Sequence, residues 1–128
     1  MIRVIFAVLL LATAAAAEEK PTPPSAPYII CAAYADALTK VYTAKGLDKE
    51  AAEMTAIGTK FGAFAYSLDE LEKLPGTATL DLVRQLREKF IIQTTRDGAL
   101  ELMMKYQPQC LLLANKAGSL EEWLNRKR

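Results

Sequence analysis

Large apolar residues recur from Met54 to Leu71 at positions 54, 57, 61, 64, 68 and 71, with spacings of 3, 4, 3, 4 and 3. An α-helix turns once in about 3.6 residues, so these positions form one apolar side. A strand would alternate with period two, and this stretch does not. The spacing predicts a central helix against which the others pack.

The same reading divides the rest of the chain. A first helix is expected from Tyr28 or Ile29 to about Lys45, with Ile30, Tyr34, Leu38, Val41 and Tyr42 on a broad apolar face and Gly46 as its stop. Asp48 is the expected N-cap of the central helix. Gly58 and Gly62 lie four residues apart on one face, and each costs about 1 kcal/mol relative to alanine, which points to a neighbouring helix at close range. Ser67-Leu68-Asp69-Glu70 has the spacing of a capping box, so a kink or restart is expected near Ser67. Pro75-Gly76 is a firm break, and Thr77 or Thr79 is the expected cap of a third helix. That helix has Leu80, Val83, Leu86, Phe90 and Ile91 inward and Arg84, Arg87, Glu88 and Lys89 toward solvent. The pattern weakens from Gln93 to Gly98 and resumes with Leu100, Met103, Met104 and Gln107. Pro108 is expected to end it. Cys110 to Ala117 is short and apolar, Gly118-Ser119 reads as a break, and Ser119 to Glu122 as a second capping box before Trp123 and Leu124.

The N-terminal residues follow a different logic. Arg3 precedes an apolar run from Val4 that continues into small residues, and Ala15-Ala16-Ala17 offers a cleavage site. The run of about 14 residues is short of the roughly 20 that span a bilayer. Residues 1–17 therefore read as a cleaved signal peptide, which implies export to the periplasm. Residues 18–27 hold four prolines and read as an extended tether, a spacer in preference to a proline-rich ligand motif. Residues 28–128 remain as a single helical domain. After cleavage no membrane span is expected. Basic and acidic residues are then equal in number, which argues against a nucleic-acid partner.

Cys31 and Cys110 are the only cysteines. In an oxidising compartment two thiols in one small domain normally pair, closing a loop of nearly 80 residues. Their pairing is incompatible with a regular up-down bundle of full-length helices, so bends near Ser67 and Gly98 are expected. The fold class is all-α: a compact bundle of four main helical segments with kinks and one disulfide.

Chemistry is sparse. The chain has no histidine, which removes the commonest general base and leaves no Cys/His zinc set. Ser25, Ser67 and Ser119 are the only serines, one in the tether and two at expected caps. No phosphate-binding glycine loop is present. No catalytic residue, metal or cofactor is therefore expected. The carboxylates gather once, at Asp69, Glu70 and Glu72, beside the turn Pro75-Gly76-Thr77. As a helical cluster they read first as a solvated face; as a site, they read as an acidic patch for a protein partner ahead of an acid–base pair. Phe61, Phe64, Tyr66, Phe90 and Trp123 read as core, with an apolar pocket as the functional alternative.

Three features together resemble the type VI secretion amidase immunity proteins: Cys31 in the first helix, YSLDELEKL from Tyr66 to Leu74 before a Pro-Gly turn, and Cys110-Leu111-Leu112 before a short closing helix. The resemblance is one of layout over most of the mature chain. It implies an exported helical dimer that binds a cell-wall amidase effector and plugs its active-site cleft. Carried onto this sequence, the partner-binding positions are Asp69, Glu70, Glu72, Pro75, Gly76 and Thr77. A periplasmic stress protein that holds unfolded chains, and a binder of a small apolar ligand, are the alternatives.

Overall fold

A computed structural model describes residues 22–127, so the expected signal peptide lies outside the described residues. Five helices follow one another: α1 Ala26–Ala44, α2 Asp48–Leu71, α3 Gly76–Asp97, α4 Ala99–Asn115 and α5 Ala117–Lys127. No strand occurs among the described residues. The all-α class holds, with five helices among the described residues where four main segments were expected.

The hub is α1, not α2. Cys31, Ala32, Ala33, Ala35, Ala37 and Leu38 are buried essentially completely. A helix buried this far round is a core element. It packs against α2, α3 and α4, most extensively against α2. Its alanines let three neighbours approach closely, and the apolar seam of α2 closes over one of its sides. Tyr28 meets Phe61 and Phe64 there, with ring centroids 6.1 and 6.0 Å apart. On the other side Tyr106 of α4 lies between Phe90 of α3 (4.9 Å) and Tyr34 of α1 (6.3 Å). Such tilted and edge-on pairs add to area burial.

α1 begins at Ala26, so Ala26 and Pro27 belong to the helix rather than to the tether. Pro27 is tolerated in the first turn because its missing N–H would have had no intrahelical acceptor. Asp48 is the first residue of α2 rather than its cap.

The disulfide joins Cys31 of α1 to Cys110 of α4, with 5.5 Å between Cα atoms. The geometry that permits it needs only one of the two expected breaks. Gly98, at φ +88°, ends α3 and starts α4. By contrast α2 runs unbroken through Ser67, because Ala65 and Leu68 on either side are fully buried and packing overrides the local capping pattern. Pro108 does not end α4 either. Pro108 and Met104 are both exposed, so the carbonyl left without a donor lies on the outer face. The turns on either side of it are anchored by buried Leu102 and by Cys110. The last break falls at Lys116, two residues before Gly118, and Ser119 lies inside α5. Ala117, Leu120 and Leu124 form the buried side of that helix.

Candidate functional site

The expected partner-binding residues meet at the corner between α2 and α3. α2 ends in a Schellman turn: the Lys73 N–H donates to the Glu70 carbonyl (3.0 Å) and the Leu74 N–H to the Asp69 carbonyl (2.9 Å). Lys73 takes the left-handed conformation this turn requires, φ +62°, without being glycine. Pro75 then adopts an extended conformation at the start of α3. No side chain caps α3.

Thr79, expected as a cap, has another role. It is buried, and its hydroxyl donates to the carboxylate of Asp69, which is only 8% exposed. Asp69 therefore faces inward, unlike the solvated carboxylate its position in an acidic run implied. Glu70 and Glu72 are exposed, as are Pro75 and Thr77. Gly76 sits beneath the Tyr66 ring so closely that a Cβ would overlap it. The neighbouring Glu70 carboxylate pushes the Tyr66 phenol pKa up. Asp69, Glu70 and Glu72 all lie at the C-terminal end of α2, with no basic residue in that last turn, so their charges add to the negative end of the helix dipole. The result is an acidic, exposed corner held from beneath.

Beside the corner lies an open cleft of about 640 Å³ between α1, α2 and α3. Gly58, Gly62, Tyr66 and Glu70 follow at four-residue steps along its α2 wall, Leu80 and Val83 form the α3 wall, and Asp36 enters from α1. A Cβ at Gly58 would collide with the Asp36 carboxylate, while one at Gly62 would meet nothing within 4 Å. The paired glycines thus mark a close approach only at Gly58. Burial pushes the Asp36 carboxyl up, and the charge of Arg87 partly offsets this. Arg87, expected on the solvent side, is half-buried, and its Nε has no hydrogen-bond partner among the described residues. The two side chains are not in ion-pair contact.

The sequence matches no family model, no curated protein and no solved structure.

A second surface is apolar. Leu100 and Met104 of α4 are 68% and 71% exposed, with Leu111 and Leu112 also in solvent. A groove of about 330 Å³ runs along this face past Met103 and Pro108. It shares Met103, Gln107 and Leu111 with a narrower groove that reaches Tyr34, Leu38 and Phe61. Of the aromatics considered for a pocket, Phe61, Phe64 and Phe90 are core, and only Tyr66 stands exposed. Among the described residues there is no cluster of three metal-ligating side chains, and no helix is long and apolar enough to cross a membrane.

Asp36 had a signal that the sequence reading passed over. It is the only charged residue from Pro21 to Thr39. A lone carboxylate in so apolar a helix needs either a buried partner or an opening to solvent.

Proposed function

We propose that the chain is an exported, non-catalytic binding protein that inhibits a peptidoglycan amidase by presenting the corner of Glu70, Glu72, Pro75, Gly76 and Thr77 to the enzyme's cleft. The observation that carries this reading is the construction of that corner. Two carboxylates and a proline turn stand in solvent, while the Schellman turn, the Asp69–Thr79 hydrogen bond and the Tyr66–Gly76 contact hold them in place. A protruding element ordered before binding loses little conformational entropy on docking. Its acidic face selects a basic cleft rim and speeds encounter with it. The layout resemblance to amidase immunity proteins supplies the class of partner. Inhibition of such an amidase by residues 18–128, lost on Glu70→Lys/Glu72→Lys double reversal, tests it.

The α4 surface favours a second reading, a protein that holds partly unfolded chains in the envelope. Methionine- and leucine-rich exposed faces adapt to many apolar partners. Suppression of aggregation of an unrelated denatured protein, lost on Leu100→Gln/Met104→Gln, would support this reading instead.

A further inference from the structure

We propose that the cleft between α1, α2 and α3 binds an organic cation, a primary ammonium or guanidinium group on a short apolar stem, with Asp36 as its counter-ion. The inference does not depend on the corner's role as an amidase-binding element.

Three observations carry it. First, the Asp36 carboxylate lines the cleft and forms no ion pair among the described residues, the Arg87 charge acting on it from beyond ion-pair distance. Burial disfavours the charged form of this carboxyl, and an ammonium or guanidinium supplies donor and charge together. Second, α2 is built around that carboxylate. Gly58 gives it room that any side chain would take. Gly62, one turn on, leaves space that nothing among the described residues fills, although an alanine there would favour the helix by about 1 kcal/mol. Third, the lining fits an organic cation better than a bare ion or an anion. Asp36 and Glu70 are the only charges in its lining; counting Arg87, which stands outside the lining but acts on Asp36, one net negative charge remains to be matched. Leu80, Val83 and Ala63 offer apolar walls to a stem of a few methylenes, and the Tyr66 ring offers a face to the charged head. Asp36 and Glu70 alone are too few ligands for a divalent metal, and no third ligating side chain joins them among the described residues.

The same chemistry is carried by a free amine and by a lysine or arginine side chain of a protein. The test uses residues 18–128 and follows the backbone amide resonances of Gly58, Gly62 and Ala63 during titration. The probes are n-butylammonium, n-butylguanidinium, neutral n-butanol, a lysine-bearing pentapeptide and its acetyl-lysine twin. We expect saturable shifts with the cations and none of that kind with butanol. Asp36→Asn keeps the shape and should weaken binding by about tenfold or more, the range of a charged hydrogen bond. Gly62→Leu should block the cleft, whereas Gly62→Ala remains a folded control. Glu72→Lys, outside the cleft, should leave the shifts in place even if amidase inhibition is lost, so the two proposals fail separately. Saturation by butylammonium at lower concentration than by the peptide identifies a small molecule as the source. Tighter binding of the lysine peptide than of both butylammonium and the acetylated twin identifies a protein side chain. Absence of saturable shifts with every cation, equal binding to Asp36→Asn, or equal binding of butanol would overturn the proposal.

Discussion

The Thr79 hydroxyl donates a hydrogen bond to the Asp69 carboxylate across the α2–α3 corner, and both residues are buried. This contact ties the end of one helix to the first turn of the next. Thr79→Val keeps the shape but leaves the carboxylate without its donor, and should lower stability by about 1–3 kcal/mol. Thr79→Ser should recover most of the loss. Urea unfolding of the three proteins measures it. A valine variant as stable as the parent would show that the bond does not hold the corner.

The two glycines of α2 should respond oppositely to the same substitution. Gly62→Ala meets open space and should stabilise by up to about 1 kcal/mol from helix propensity. Gly58→Ala drives a methyl into the Asp36 carboxylate and should destabilise. Adding Asp36→Ala to Gly58→Ala should restore the propensity gain, a non-additivity that thermal melts of the single and double variants would reveal.

Asp36 makes stability depend on pH. Burial raises its pKa in the folded state, with Arg87 opposing the rise, and Glu70 lines the same cleft. Between the ordinary carboxylate value and this raised one, the folded protein holds a proton that the unfolded chain has released. The contribution of Asp36 therefore falls as pH rises through that window, and the unfavourable part is absent below it. Asp36→Asn should gain on the parent as pH rises from acid toward neutral. Urea midpoints of both proteins over that range check the sign; a parent that gains on Asp36→Asn as pH rises would contradict it.

The Cys31–Cys110 bridge spans 79 residues. Loop-closure entropy puts its contribution at about 4 kcal/mol. Replacing both cysteines with alanine should remove a contribution of that order and lower the melting temperature markedly. Because α1 is the hub, the loss should appear as global destabilisation rather than fraying of α4, which amide exchange along α1 and α4 distinguishes.

The disulfide and the all-helical class were legible because each rests on a strong signal, two cysteines and sustained 3–4 spacing. The hub was not. Large apolar residues draw attention to α2, whereas α1 is buried through alanines 32, 33, 35 and 37, whose small size is what lets three helices converge. Local capping patterns at Ser67 and Ser119 also misled, since buried Leu68 and Leu120 keep both stretches helical. Gly98 was readable as a break, but Pro108 was not readable as part of a helix, because that depends on the anchors at Leu102 and Cys110. At the corner, spacing alone could not separate Asp69, which turns inward to Thr79, from Glu70 and Glu72, which stay in solvent. The cleft depends on three helices meeting around Asp36, a relation no single stretch of sequence contains.

The most direct measurement of the central claim is peptidoglycan amidase activity against increasing amounts of residues 18–128, for an amidase recovered with this protein from envelope extract. The account predicts stoichiometric inhibition by the parent, little by Glu70→Lys/Glu72→Lys, and full inhibition by Leu100→Gln/Met104→Gln. Undiminished inhibition by the glutamate reversal, or recovery of only a broad mixture of unfolded envelope proteins, would contradict it.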